Sequence, residues 1–394
     1  MLRKARLEDL DVLVELENEA FATDRLSRRS FRHLLTRGNA SILVMEEESR
    51  LQGYVLLLFS RATALARLYS IAVSRKARGR GVGAELVAAA EEEAIRHDCA
   101  WMRSEVRRDN EASLALFRGA GYRQFEVVPG YYEDGMAALR FEKALAPYGD
   151  LTELRVPYYE QTLDFTCGAA ALMMAMKALE PATRLTRRLE LRLWREATSI
   201  FMTAGHGGCG PYGLALAAIR RGFRAELFVK ERGPFLVDSV RSLEKKEVMR
   251  LVDEEFLESL GELGVPVEYR SIGFAELRER FEQGGVPVIL ISSYRIYGER
   301  APHWVVITGF DERFIYVNDP FVDYGEGETS ADAVHVPIAR WEFERMARYG
   351  RSGQRAVVLL YPGTSVAGDE ASQPAVSAPG DAPCVPPDGG GTQP

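Results

Sequence analysis

The order of helix-like and strand-like runs changes once along this chain, and the change falls at Ala146–Asp150, APYGD. Before that point the two patterns alternate. A strand at Leu2 to Arg6 leads to a helical run from about Glu8 to Phe21, and Ser27 is placed to cap a second helix through Arg37. ILVMEEE and LQGYVLLLF read as a hairpin joined at Ser49-Arg50. LARLYSIAV, a Gly-rich turn, a helix from about Gly83 to Arg96, a strand near Trp101 to Val106 and a helix from about Glu111 to Gly119 follow. YRQFEVV and MAALRFEKAL supply two closing strands. Such alternation predicts an α/β domain with a mixed central sheet over residues 1–145. Beyond APYGD the order inverts. Helices after Cys167 and near Thr186 to Ala204 come first, and the strands PVILISS, HWVVITGF, FIYVN and RAVVLLYP come last. That order predicts an α+β domain over residues 153–362, with 146–152 as linker.

A chain of 394 residues exceeds one ordinary core, which agrees with two domains. Residues 363–394 are rich in Gly, Pro, Ala, Ser and Asp, bury too little apolar surface to offset ordering entropy, and are expected to form a disordered tail. The net charge of -7 argues against nonspecific nucleic-acid binding. No apolar stretch reaches membrane-span length, and MLRKARLEDLDVL carries charges where a signal peptide needs an apolar segment. A cytoplasmic protein without a membrane partner is the expectation. Cys99, Cys167, Cys209 and Cys384 lack paired spacing, which fits free thiols in a reducing compartment, and no metal-ligand set is visible.

The segment SIAVSRKARGRGVGAELVAAAEEEA joins a strand to a helix through Arg78, Gly79, Arg80, Gly81, Val82 and Gly83. Glycines let the backbone turn tightly, and free N–H groups at the helix start face an anion such as a pyrophosphate. Arg75, Lys76, Arg78 and Arg80 add positive charge, although a plain glycine-rich connection would read similarly. This loop, with EVRRDNEASLALFRGAGY and GYYEDGMAALRFEKAL after it, resembles the GNAT acetyltransferase family, most closely the ribosomal-protein N-terminal alanine acetyltransferases. The resemblance spans nearly all of residues 1–145. It implies acetyl-CoA as co-substrate, with its pyrophosphate on residues 78–83 and its pantetheine arm along Ile71, Ala72 and Val73. It also implies a CoA-side role for Asn110 and a general-base role for Glu105. Phe117 stands where the family often has the tyrosine that protonates the departing thiolate, and phenylalanine has no proton to give. Tyr122, Tyr131, Tyr132 or water would then serve, or the domain binds CoA without turning it over.

In the second half, Gln161 and Cys167 lie six residues apart in QTLDFTCGAA; His303 opens HWVVITGF, and Asp319 ends FIYVNDP. A thiolate is favoured at a helix start and beside an imidazolium, so Cys167 is the candidate nucleophile. His303 would act as base and then acid, Asp319 would orient it, and Gln161 would offer an N–H to the oxyanion. Roughly 140 residues separate Cys167 from His303, a papain-like spacing. QTLDFTCGAA and HWVVITGFDERFIYVNDP resemble the bacterial peptidases that cleave leader peptides after double glycine. The resemblance covers about residues 153–362 and implies a papain-like α+β fold with the same four roles. His206 and Cys209, in HGGCGPYGLALAAIRRGF, are too few ligands for zinc, and their glycine-rich loop is expected to border the cleft. The sequence thus predicts a bifunctional enzyme with a CoA thioester and a peptide or protein as substrates; the other reading is a peptidase regulated by a CoA-binding module.

Overall fold

The computed structural model describes residues 1–145, 151–198, 201–202, 205–237, 240, 242–326 and 328–363. Residues 146–150 of the expected linker and 364–394 of the expected tail lie outside the described residues.

The first half runs β1 (Leu2–Lys4), α1 (Leu10–Ala20), α2 (Arg28–Thr36), β2 (Ala40–Glu47), β3 (Arg50–Phe59), β4 (Leu65–Val73), α3 (Val82–Arg96), β5 (Trp101–Arg107), α4 (Glu111–Gly119), β6 (Arg123–Val128) and β7 (Ala138–Ala144). Its mixed sheet has the order β1-β2-β3-β4-β5-β7-β6, and β4–β5 is its parallel pair. Ser27 caps α2 by accepting from the Ser30 N–H. The β2–β3 turn is Glu48-Ser49, one residue earlier than its sequence placement, and both residues adopt the left-handed φ that a two-residue hairpin turn requires. Leu43, Met45, Val55, Leu57, Leu68 and Met102 pack under α3 and α4. Ile42, Val44, Tyr54, Leu56 and Ala72 pack under α1 and α2, so the sheet is buried on both faces by a period of two.

The β4–β5 ladder is short. It runs only from Leu65↔Trp101 to Arg67↔Arg103, although both strands continue beyond it. Opposite Leu56 and Leu57 the β4 register shifts by one residue at Tyr69, and such a bulge bends the strand. The carboxyl-terminal ends of β4 and β5 are therefore unpaired with each other, leaving a split in the sheet.

The second half comprises β8 (Thr152–Glu153), α5 (Cys167–Leu179), α6 (Arg187–Ala197), β9 (Phe201–Met202), β10 (Gly205–His206), α7 (Pro211–Ile219), β11 (Arg224–Val229), α8 (Leu243–Glu262), β12 (Val267–Glu268) and α9 (Phe274–Glu282). It continues with β13 (Val286–Ser292), α10 (Tyr294–Tyr297), β14 (Pro302–Phe310), β15 (Phe314–Asn318), β16 (Val336–Ala339), α11 (Arg340–Met346) and β17 (Ala356–Tyr361). Its sheet, also mixed, has the order β12-β11-β17-β13-β14-β15-β16, with β8 added beside β14. The helix expected to reach Ala204 ends at Ala197, and α8 and β11 were not marked by the sequence. Val286, Val288 and Leu290 face the core under α5 and α7, whereas Ile289 and Ile291 face the core that holds Leu277 and Phe281 of α9. Every residue of α5 from Cys167 to Met176 is buried, which explains a helix with no polar face. No described helix is long and apolar enough to cross a membrane.

Met1–Gly363 forms one compact unit. The two sheets meet through Ala64, Ala100, Phe314 and Tyr316 and through polar links. The Ala64 N–H donates to the Pro337 carbonyl at 2.7 Å, and the indole of Trp101 donates to the Tyr316 hydroxyl at 3.3 Å. The buried guanidinium of Arg103 donates to the carbonyls of Ala331 and Val334, each at 2.6 Å.

Candidate active sites

Cys167 is the first residue of α5, where unpaired N–H groups make the positive end of the helix. Its residue is 8% exposed. His303, the second residue of β14, shares a hydrogen bond of 2.6 Å between Nε2 and Asp319 Oδ1, and Cys167 is near enough to act on the same ring. With Nε2 committed to the carboxylate, Nδ1 is the nitrogen left for the sulfur. Burial disfavours the charged ring, but Asp319 and Cys167 outweigh it and hold His303 well above its ordinary value. Asp319 is fixed in turn: Oδ2 accepts from the Tyr297 hydroxyl at 2.9 Å, and Oδ1 accepts from the Phe321 N–H at 2.9 Å. Residues from a helix start, a strand and a strand end thus come together, with carboxylate and imidazole hydrogen-bonded and the thiol acting on the same ring.

Gln161 is half-buried beside this line. Its N–H donates to the Pro320 carbonyl at 2.8 Å, one residue after Asp319, and its amide Nε2 donates to the Leu163 carbonyl at 3.0 Å. Its Oε1 is buried without a hydrogen-bond partner.

Glu190 of α6 is a site residue that the sequence reading missed. It is fully buried, and its carboxylate accepts from the Thr162 N–H (2.8 Å), the Thr162 hydroxyl (2.8 Å), the Thr166 hydroxyl (2.5 Å) and the Tyr159 hydroxyl (2.9 Å). The strap that carries Gln161 into Cys167 is therefore tied to one acid. In sequence Glu190 lies among arginines on an amphipathic helix, which reads as a solvated face; the hydroxyl-rich segment around QTLDFT was the available signal.

Gly168 leaves room for a close contact. A Cβ there would lie 2.9 Å from Cys209 Cβ and 3.1 Å from Trp304 Cδ1. Cys209 is buried, and burial, aided by neighbouring Cys167, pushes its thiol well up, so it stays protonated. The side chain of His206 lies outside the described residues. Among the described residues no group of three or more His, Cys, Asp or Glu could hold a metal.

In the first half, Ile71, Ala72 and Val73 pair with β3 on one side and have no β5 partner on the other, so they line the split. Arg78 to Gly83 lead into α3, with Gly79 at φ 75° and its cap Gly81 at φ 86°, conformations that a side chain would strain. Arg80 pairs with Glu47 at 2.9 Å, whereas Lys76 makes no ion pair among the described residues. Asn110 caps α4 by accepting from the Ser113 N–H at 3.1 Å. Glu105 lies two residues past the last β4–β5 pair, at the split. Its Oε2 accepts from Arg67 Nε at 2.9 Å, and its Oε1 lies 3.5 Å from Arg140 Nε without accepting a hydrogen bond. All three side chains are at most 5% exposed.

Phe117 is buried in an aromatic cluster with Tyr122 and Phe141. The Tyr122 hydroxyl donates to Met102 sulfur at 2.9 Å inside that core. The Tyr131 hydroxyl instead accepts from Arg67 Nη2 at 2.9 Å, which brings it to the Glu105 cluster, and burial followed by Glu105 pushes it up to about 12.

Comparison with known proteins matches residues 156–361 to the Peptidase_C39 like family and residues 8–122 to the Acetyltransferase (GNAT) family. An uncharacterized N-acetyltransferase of Methanocaldococcus jannaschii is 31% identical over 140 residues, which is 35% of this chain and 88% of that protein. A Bacillus subtilis protein named for ribosomal protein bS18 alanine N-acetylation is 31% identical over 134 residues, 34% of this chain and 87% of its own length. The crystal structure of the ribosomal-protein-S18-alanine N-acetyltransferase from Escherichia coli aligns with 20% identity and a TM-score of 0.35, covering 38% of this chain and 96% of that one. The chain therefore belongs to the Peptidase_C39 like family through its second half and carries a GNAT acetyltransferase domain, similar to the ribosomal-protein-alanine acetyltransferases, in its first.

Proposed function

We propose that the protein is a two-site enzyme: a papain-like thiol peptidase in its second half and an acetyl-CoA-dependent N-acetyltransferase of a peptide amine in its first. The observation that carries the peptidase reading is the imidazole of His303, hydrogen-bonded to Asp319 and acted on by the nearby Cys167 thiol at the start of α5. The Cys167 thiolate attacks the peptide carbonyl carbon, and the oxyanion is met by the Cys167 N–H and a Gln161 amide N–H. His303 passes its proton to the departing nitrogen as the C–N bond breaks. Water then attacks the thioester carbon, gives a proton to His303, and the C–S bond breaks to release the acid.

The acetyltransferase reading rests on the split between β4 and β5. Acetyl-CoA is the co-substrate, with phosphates at the N–H groups of residues 78–83 and the pantetheine arm along the unpaired edge of Ile71–Val73. Glu105, at this split, takes the proton of the attacking amine through Oε1, which lies 3.5 Å from Arg140 Nε and accepts no hydrogen bond. The amine nitrogen bonds to the acetyl carbon, the C–S bond breaks, and Tyr131, which stays protonated through the neutral range, returns a proton to the thiolate. Hydrolysis exposes a new α-amine, which the second activity would cap. Cytoplasmic action fits the unpaired thiols Cys99, Cys167 and Cys209.

Peptides that resemble the alanine-acetyltransferase substrates, incubated with and without acetyl-CoA and read by mass spectrometry, test both steps. Cleavage that vanishes in Cys167→Ala and His303→Ala, with acetyl on the new N-terminus only when acetyl-CoA is present, is expected. Cleavage by Cys167→Ala would refute the peptidase assignment, and new termini that never carry acetyl would refute the coupling.

A further inference from the structure

We propose that Asp332, a residue of the second half, is a positioning residue for the acetyltransferase, holding Arg67 and through it Glu105, so that the first site is complete only against the second half. The inference rests on the reading of Glu105 as the base. Arg67 Nε reaches Glu105, Nη2 reaches Tyr131 and Nη1 reaches Asp332 Oδ2 at 3.3 Å. One planar guanidinium therefore orients both the candidate base and the candidate acid, and the third arm of the fork is held from the other half.

Asp332 is itself fixed before it reaches Arg67. It accepts from the Thr329 N–H at 2.8 Å and the Thr329 hydroxyl at 3.2 Å in a capping box. The flanking backbone is pinned from both sides. Arg103 donates to the carbonyls of Ala331 and Val334, Arg140 Nη2 donates to the Ser330 hydroxyl at 3.1 Å, and the Asp319 N–H donates to the Ala333 carbonyl at 2.8 Å. The residue after Asp332 thus touches the peptidase triad while Asp332 touches the acetyltransferase cluster.

A docking role alone does not account for this arrangement. Buried ion pairs are poor glue compared with apolar residues of similar size. Here Glu105 Oε1 and Arg140 Nε are also left buried without hydrogen bonds, the kind of exception that functional sites carry. The charged and titratable groups facing Glu105 are Arg67 on β4, Arg140 on β7, Tyr131 and Tyr132 on the β6–β7 connection, and Asp332. Asp332 is the member that offsets the arginines from the far half. Without it the Nη1 arm of Arg67 loses this acceptor, and the guanidinium is less firmly held toward Glu105 and Tyr131.

The test follows free CoA release by the full chain with acetyl-CoA and a short peptide bearing an N-terminal alanine, between pH 5.5 and 9.5. For Asp332→Asn the expected result is a kcat about tenfold lower, a KM for acetyl-CoA within about twofold, and unchanged iodoacetamide labelling of Cys167. A wild-type kcat would overturn the proposal. Should Asp332→Asn fail to fold, Asp332→Glu carries the test, because it keeps the charge and moves it by one methylene. A kcat at least threefold lower with the KM for acetyl-CoA in place supports positioning, and an unchanged kcat overturns it. Glu105→Gln separates the two levels. If it keeps the wild-type kcat, or if the wild type releases no CoA with this peptide, the base reading itself falls. If Glu105→Gln loses kcat while Asp332→Asn keeps it, only the role of Asp332 falls.

Discussion

Glu190 offers the sharpest test of how the thiol site is built. Its carboxylate is fully buried, makes no ion pair among the described residues, and takes four hydrogen bonds from the strap that leads into Cys167. In Glu190→Gln one oxygen survives, and it must serve the Thr162 N–H, because an amide N–H cannot reverse its role. The hydroxyls of Tyr159, Thr162 and Thr166 can rotate toward the new NH2 group. The loss is then mainly charge assistance, about 2–3 kcal/mol. Glu190→Ala leaves all four donors without their acceptor and opens a cavity, for about 4–6 kcal/mol after allowing for non-additivity. At roughly 2–4 °C per kcal/mol, Gln should lower Tm by about 4–12 °C and Ala by roughly twice that. Calorimetry with iodoacetamide labelling of Cys167 at pH 7 reads both consequences. Labelling should slow in both variants, because the strap and the helix start move together. A Glu190→Ala protein that melts within 2 °C of wild type, as an order-of-magnitude threshold, with unchanged labelling, would show that the strap is held by something else.

Asp319→Asn removes the charge that supports the imidazolium of His303, and labelling of Cys167 at pH 6.5 should slow at least tenfold; an unchanged rate would break the triad assignment. Gly168→Ala forces a Cβ to 2.9 Å from Cys209 Cβ, and overpacking of that kind costs about 1–3 kcal/mol, seen as a lower Tm and slower labelling. Glu328 is pushed up to about 7 by burial first and then by Asp332, Asp319 and Asp323, against a bond from the Asp323 N–H. Its folded form binds a proton more tightly than its unfolded form, so its contribution is most favourable below about pH 4.5 and is lost as pH rises through about 7. Glu328→Gln should therefore raise Tm at pH 8 by more than at pH 5, and equal shifts at both values would contradict the assignment.

Much of this architecture was legible because it is local. The span Glu111–Gly119 of α4, the Ser27 cap, the strands of the first sheet and β13, β14, β15 and β17 of the second follow from period and capping residues that act within a few positions. The grouping of Cys167, His303 and Asp319 was legible as a candidate site for a different reason: a thiol, an imidazole and a carboxylate at strand or helix ends have few joint uses. Their order along the chain narrows those uses further. The bulge at Tyr69 that ends the β4–β5 ladder was not legible, because a one-residue shift leaves the apolar alternation of LARLYSIAV almost unchanged. Glu190 was hidden because its partners are hydroxyls and a backbone N–H some 25 residues upstream, and nothing on α6 distinguishes it from its solvated neighbours.

The face that joins the two halves was hidden by chemistry rather than by distance. Arg67, Arg103 and Arg140 stand in strands at positions that alternate with apolar residues, which is the pattern of a sheet with one wet face. Each is at most 4% exposed. Burying three guanidiniums without compensation would be prohibitive, so the partner surface must present acceptors at matching places. It does so with backbone carbonyls and with Ser330 and Asp332, groups that any loop possesses and that no pattern flags. An apolar interface would tolerate sliding by a residue, because methyl groups have no direction. This one does not, since a shift of one residue in the Thr329–His335 segment would leave Arg103 facing N–H groups and Arg67 without Asp332. The charged face thus sets a register between the two sites that hydrophobic burial alone could not, and it places the Asp319 backbone one residue from the acid that holds Arg67.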